Sequence, residues 1–250
     1  MDNAIDIKNV SFSYNEFTMR EISLQLKRGE LRAIAGLNGS GKTTLFRLIV
    51  GLLFPDSGSI TVMGRTVTQE NLWRVRQEIG FLFQNPENQL FAPTVWEDIA
   101  FGPKNQGLTH EQIVERVESA LDLVDMVGYS ERSIHELSHG QAKRVALAGI
   151  LAMKPRILLL DEPFSGLDNP MVVQLVKLVH DLRKQCISVM YTTHNQFYFE
   201  NWADSLTILH EGNVIFDGEP ETALTSEEVL DTIGDWESLS QTLRNASKHL

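Results

Sequence analysis

The chain has 250 residues, 42% of them hydrophobic, which suits one large domain, or a core with an inserted subdomain, around a buried apolar centre. Its formal net charge is −11 and no Lys/Arg block is present, so it lacks the electrostatic footprint of a phosphodiester-binding surface and nucleic acid is not an expected partner. Cys186 is the only cysteine, which excludes an internal disulfide and a cysteine metal site; its place just before a β-branched run reads as a small buried hydrophobe.

The N-terminal MDNAID is acidic, and nowhere do roughly 18 apolar residues follow one another, so the expectation is a cytosolic chain, or one that reaches a membrane only through partners. Ile5 to Tyr14 alternates apolar and polar residues, and Ile22 to Leu26 does so again before a Lys27-Arg28-Gly29-Glu30 turn; both read as half-buried strands. A third strand-like run, Leu31 to Ala35, enters a glycine-rich turn that fits G-x-x-x-x-G-K-S/T through Gly36, Gly41, Lys42 and Thr43, and then opens into a helical pattern from Leu45 to Val50. Glycines at 36, 39 and 41 leave the backbone free to take positive φ, so that successive N–H groups form an anion nest at a helix N-terminus. The stretch Asn38, Gly39, Ser40, Gly41, Lys42, Thr43 and Thr44 is therefore expected to cradle a nucleotide's phosphates, with Lys42 reaching the terminal ones and the Thr43 hydroxyl ligating magnesium.

Pro55 to Gly58 is a turn, Ile60 to Met63 a short strand, and Ile79 to Phe83 another that ends at Gln84. Pro86 to Pro93 has no periodicity and reads as an exposed loop, in which Leu90 and Phe91 form an exposed apolar pair. Thr94 with Glu97, and Thr109 with Gln112, read as capping boxes that open two helices, the second with an apolar stripe of Ile113, Val117, Ala120, Leu121 and Val124. Leu137 to Gln141 precedes a further helix that runs to about Met153 and stops at Pro155. A helical subdomain at about 86–155, inserted into an α/β core, accounts for this order.

Ile157 to Leu160 is a continuous apolar run ending in Asp161-Glu162, as a fully buried parallel strand reads. A helix from Met171 to Lys184, a strand from Ile187 to Thr192, and His194 follow. Strands alternating with helices imply a mostly parallel sheet whose functional groups gather at the carboxyl edge; Gly36, Gln84, Asp161 and His194 all lie just past strand ends. Residues 1–220 are expected to form the main domain and 221–250 a helical tail, with short helices at Ser226 to Leu230 and Asp235 to Leu243. The tail carries no chemical motif and reads as a solvated helical end, a domain cap or a dimer contact.

Hydrolysis of a γ-phosphate needs a cradle, a magnesium ion, a positioned water and charge stabilisation. Asp161 is placed to serve as a direct or second-shell magnesium ligand, and Glu162 to polarise the attacking water. With the cradle GLNGSGKT, Gln84, LSHGQ at 137–141, ILLLDEP, Ser165-Gly166-Leu167-Asp168 and His194 in this order, residues 3–220 resemble the ATP-binding-cassette ATPases. The resemblance implies an α/β P-loop NTPase core with an N-terminal antiparallel β subdomain and the inserted helical subdomain. It implies that Tyr14 stacks on adenine, although an ordinary strand aromatic is the other reading of that residue. Gln84 would sense magnesium and water while coupling to a transport partner. Ser138, Gly140 and Gln141 at a helix N-terminus, with the Asp168 loop, would serve the ATP bound by a second protomer, and His194 would hold the γ-phosphate, its other reading being a turn or surface histidine.

The signature departs from the family's usual glycine at His139, a substitution familiar among importers of cobalt and nickel, while Phe164 and Asn169-Pro170 change packing residues around Asp168. Together with QNPENQLFAPTVWEDIAFGP, it makes the chain similar to the energy-coupling-factor importers. A peripheral ATPase on the cytoplasmic membrane face is thereby implied, working as a dimer, a homodimer before a heterodimer. Its partners would be a transmembrane coupling protein and a substrate-binding membrane component, with cobalt or nickel as first-choice cargo and biotin-like vitamins second. A soluble P-loop kinase leaves LSHGQ and His194 unexplained, and a cassette ATPase acting on ribosomes or DNA would carry two cassettes or a long coiled-coil insertion.

Overall fold

The computed structural model describes residues 3–226 together with 229, 230 and 232. In chain order the elements are β1 (Asn3–Tyr14), β2 (Phe17–Lys27), β3 (Leu31–Ala35), α1 (Lys42–Ile49), β4 (Ser57–Val62), β5 (Arg65–Thr66), α2 (Leu72–Glu78) and β6 (Ile79–Leu82). Then come α3 (Val95–Asn105), α4 (His110–Leu123), α5 (His139–Ala152), β7 (Ile157–Leu160), α6 (Asn169–Lys184), β8 (Ser188–Thr193), α7 (Gln196–Trp202), β9 (Ser205–His210), β10 (Asn213–Gly218) and α8 (Pro220–Ala223).

Two sheets result. The first is antiparallel throughout, in the order β2-β1-β4-β5; the second runs β10-β9-β3-β8-β7-β6, parallel except for β10, which returns antiparallel beside β9. The two-residue period of the strands splits the second sheet's side chains between two cores. Ile34, Ile157, Leu159, Met190 and Leu209 face α1 and the antiparallel sheet. Leu31, Ala33, Leu158, Leu160, Val189, Tyr191, Leu206 and Ile208 face the opposite core, built with helices α3 to α7. Both faces of the central strands are thus covered, which is why ILLL and SVMYTT are buried at every position. The fold is α/β, with the antiparallel sheet at the N-terminus and α3, α4 and α5 packed together between β6 and β7.

Several expectations change on contact with the structure. Cys186 is exposed, not buried: it takes φ 63 in the turn between α6 and β8, two residues before the strand begins. Leu90 packs against the α-helical core, and only Phe91, 62% exposed, stays in solvent; it meets Phe101 of α3 edge to face, with ring centroids 4.7 Å apart. The segment at 86–93 is not wholly irregular either, since Pro86–Asn88 forms a 3-10 turn capped by the Asn85 side chain. At α3 the Thr94 hydroxyl accepts from the Glu97 N–H, but the Glu97 carboxylate accepts from the Thr94 hydroxyl, so the reciprocal backbone contact of a capping box is not made. Thr109 and Gln112 do form the full box, and so do Ser138 and Gln141. β9 and β10, joined at Glu211-Gly212, and the helices α2, α7 and α8 add to the elements read from the sequence. α8 crosses residue 220, and Ala223 and Val229 are buried in the helical-side core. The helix expected at Asp235 to Leu243 lies outside the described residues, and the one at Ser226 to Leu230 lies partly outside them.

Candidate functional site

The sheet's parallel register carries the chemistry to one edge. Ala35 pairs with Thr193, Leu160 with Tyr191, and Leu82 with Leu160, so the residues that leave β3, β8, β7 and β6 emerge side by side. Gly36, Gly39 and Gly41 all take positive φ, at 145°, 84° and 109°, as an anion nest requires. A Cβ on Gly36 would collide with the Leu209 carbonyl and come within 2.7 Å of the Ser40 hydroxyl. Gly41 is the N-cap of α1, and no side chain caps that helix, so its first N–H groups face the loop without a side-chain acceptor. The Ser40 hydroxyl is buried and makes no hydrogen bond. Nest, open helix end and orphaned hydroxyl converge on one concave place, and together they fit a bound phosphate chain.

Lys42 is buried, and its ammonium donates to the Gly36 and Leu37 carbonyls at 2.8 and 3.0 Å. Burial lowers its pKa, with Glu162 and Asp161 acting in the opposite direction. The Thr43 hydroxyl donates to Asp161 Oδ2 at 2.8 Å, and the Thr192 hydroxyl to Asp161 Oδ1 at 2.6 Å. A hydroxyl and a carboxylate in contact beside a phosphate nest suit magnesium, a hard cation that takes one or two protein oxygens and completes its shell with phosphate and water.

Glu162 takes φ 45, in the left-handed region that non-glycine residues seldom enter. Three contacts hold it there or aim it: its N–H donates to the Thr192 hydroxyl at 2.7 Å, its Oε1 lies 3.0 Å from His194 Nδ1, and the same oxygen lies 3.9 Å from Lys42 Nζ. With Oε1 accepting from a protonated Nδ1, His194 presents Nε2 outward, and that nitrogen donates only when the ring is the imidazolium. The second carboxylate oxygen is left to receive a proton from water.

A cavity of about 530 Å³ opens over the cradle, lined by Asn38, Gly39, Lys42, Thr43, Thr44, Gln84 and Glu162, with Phe17 on its wall. Gln84 therefore joins the cradle as expected from its place at the end of β6. Tyr14 is 65% exposed at the end of β1 and is not among the lining residues; across the β1–β2 turn it is Phe17 that approaches Gly41, within 2.7 Å of where a Cβ would stand. Phe17 and Thr192 both escaped the sequence reading. The available signals were an aromatic just beyond a Tyr-Asn-Glu turn, and two threonines closing an otherwise apolar strand.

Ser138, Gly140, Gln141 and Asp168 do not line this cavity. Ser138 is the exposed N-cap of α5: its hydroxyl accepts from the Gln141 N–H at 3.3 Å and keeps a proton to donate. Gln141 returns the bond to the Ser138 N–H at 2.9 Å and donates to the Tyr129 hydroxyl at 3.2 Å. The Asp168 carboxylate caps α6 by accepting from the Met171 N–H at 2.9 Å. His139 is exposed and stacks its ring edge over Gly166, whose φ of 75 turns the Asp168 loop beneath it. Among the described residues, no group of three His, Cys, Asp or Glu side chains forms a metal site.

Residues 19–165 match the model of the ABC transporter family. The chain is 40% identical, over 92% of its length and 84% of the relative's, to an energy-coupling factor transporter ATP-binding protein EcfA of Methanosphaera stadtmanae. It is 42% identical, over 86% of its length and 71% of the relative's, to an EcfA of Methanothermobacter thermautotrophicus. Among solved structures, cbiO1 from Clostridium perfringens, described as part of the ABC transporter complex cbiONQ, superposes with a TM-score of 0.82 at 33% identity, covering 98% of this chain and all of that one.

Proposed function

The chain belongs to the ABC transporter ATP-binding family, and from that premise we propose that it hydrolyses ATP as the energising subunit of an energy-coupling-factor importer. The observation that carries this reading is the Glu162 carboxylate, fixed between His194 and Lys42 beside the Thr43–Asp161 pair at the rim of the phosphate nest. Residues 38–44 would hold the triphosphate, and Thr43 and Asp161, with Gln84 nearby, would hold magnesium, which supplies charge neutralisation of the β- and γ-phosphates. Lys42 exchanges its loop carbonyls for phosphate oxygens as substrate enters. Glu162 orients and deprotonates the attacking water, and His194 hydrogen-bonds the γ-phosphate. Adenine would rest at the β1–β2 hairpin, against Tyr14 or Phe17.

Ser138, Gly140 and the Asp168 loop serve the nucleotide of a second copy of the chain, since α5 presents an exposed, capped N-terminus away from its own cradle. A helix N-terminus favours an adjacent anion by roughly 0.3 to 2 kcal/mol. Its supply by a partner makes hydrolysis depend on dimer closure. The exposed Phe91–Phe101 pair offers an apolar anchor for helices of a transmembrane coupling protein, which with a substrate-binding component would hold this chain at the cytoplasmic face. Among the described residues no helix is long and apolar enough to cross a membrane. Cobalt or nickel is the first choice of cargo, on the strength of His139 in the signature, and a biotin-like vitamin the second. The two-chain site is tested by mixing Lys42→Ala with Ser138→Arg chains, each inactive alone. One site of each mixed dimer regains both halves, so ATP hydrolysis returns in part; no recovery, with mixed dimers demonstrated, contradicts the shared site.

A further inference from the structure

Lys143 lies on α5, behind the Ser138 cap, and is 3% exposed. It donates to three backbone carbonyls on one loop: those of Glu162 and Pro163 at 3.2 Å each and of Ser165 at 2.8 Å. Its hydrogen-bond partners are thus carbonyls and not carboxylates. Burial pushes its pKa down to about 8, with Glu162 and Asp161 resisting the fall. An aliphatic side chain would avoid that desolvation but would leave the three carbonyls without this donor.

What the ammonium holds is the backbone that aims Glu162. That residue sits in a strained left-handed conformation, with its N–H anchored by Thr192 and its carboxylate by His194. Its carbonyl accepts from the Ser165 N–H of the same loop at 3.1 Å and from the Lys143 ammonium at 3.2 Å, and of these anchors Lys143 is the one that comes from α5. The same ammonium then reaches Pro163 and Ser165, where the chain turns toward the Asp168 cap of α6. We infer that Lys143 is a positioning residue that fixes the Glu162 backbone and ties turnover at this chain's own cradle to the placement of α5. The inference rests on the reading of Glu162 as the group that activates water. A shift of α5, whose tip faces the second copy's nucleotide in that reading, is thereby transmitted to Glu162 through one side chain.

The test compares Mg-ATP hydrolysis by the purified wild type, Lys143→Met, Lys143→Gln and Glu162→Gln. Methionine keeps the shape and removes every donor, whereas glutamine restores two donors without charge. Loss of the anchor displaces a reacting group by a fraction of an ångström, so Lys143→Met should lose about tenfold to a hundredfold in kcat while the KM for ATP stays within about twofold. Lys143→Gln should recover part of that kcat. If Lys143→Met fails to fold, Lys143→Gln alone decides, by a kcat reduced at unchanged KM. A kcat within about twofold of wild type in the folded variants overturns the inference, as does a loss confined to KM. The underlying reading fails separately: Glu162→Gln would then turn over like the wild type, whereas failure of the Lys143 inference alone leaves Glu162→Gln inactive beside active Lys143 variants.

Discussion

Replacing Thr192 with valine removes one hydroxyl and changes almost no volume, yet the structure makes that hydroxyl a junction. Thr192 is fully buried; it donates to Asp161 Oδ1 at 2.6 Å and accepts from the Glu162 N–H at 2.7 Å. Thr192→Val deprives a buried carboxylate of a charge-assisted bond, about 1.5 to 3 kcal/mol, and leaves a buried N–H unpaired, about 1 to 3 kcal/mol more. The two losses share one atom and are not fully additive, so the expected destabilisation is about 3 to 5 kcal/mol. At about 2 to 4 °C per kcal/mol for a chain of this size, melting should fall by roughly 10 °C. Thermal melting and urea denaturation of wild type, Thr192→Val and Thr192→Ser measure it. The serine variant loses a buried methyl, about 1 kcal/mol, but keeps the junction. It should therefore be more stable than the valine variant and keep the wild type's magnesium dependence of hydrolysis, while Thr192→Val needs more magnesium because Asp161 keeps only its Thr43 contact. A valine variant within about 1 kcal/mol of wild type, or no less stable than serine, refutes the reasoning.

Phe91→Ser combined with Phe101→Ser should change melting little, because Phe91 is 62% and Phe101 48% exposed, and abolish co-purification with the membrane component; a large drop in melting temperature would make them core residues. For Lys143, the folded pKa of about 8 lies below the ordinary 10.5, so the unfolded chain binds the proton more tightly. The penalty is complete below pH 8 and lifts as pH rises toward 10.5, with a ceiling of about 3 kcal/mol. Urea denaturation at about pH 7.5 and about pH 9.5 should show wild type gaining about 2 kcal/mol on Lys143→Met, and a pH-independent difference would contradict the shift. Cys186 should react with a maleimide in the native chain, since it is exposed, and reaction only in denaturant would restore a buried position.

Much of the site was legible because it is local. The glycines at 36, 39 and 41, the Lys42-Thr43 start of α1, and the apolar run that delivers Asp161 and Glu162 each carry their meaning within a few residues, and strand ends at a parallel sheet's carboxyl edge bring them together. What escaped depends on register across the sheet or on packing between elements. Thr192 acts through the neighbouring β7, Lys143 through a loop that folds back beneath α5, and Phe17 through a hairpin that lies against the nest. Cys186 misled for the opposite reason: the β-branched run after it is buried, but the left-handed turn that precedes a strand points its own side chain outward. Leu90 and Phe91 are adjacent in sequence and alike in hydropathy, and only the path of the 3-10 turn sends one inward and leaves the other to meet Phe101.

In the proposed reaction Glu162 is the group that activates water at an otherwise complete ATP site. The most direct measurement takes ATP affinity and phosphate release from the same preparations of wild type and Glu162→Gln, with magnesium present. Glutamine keeps the side chain's size and its contact with His194 while removing the base, so affinity should hold within a few-fold and turnover should fall by at least about a hundredfold. Near-normal phosphate release from Glu162→Gln, with ATP bound as tightly as in the wild type, would take Glu162 out of the reaction and contradict the account.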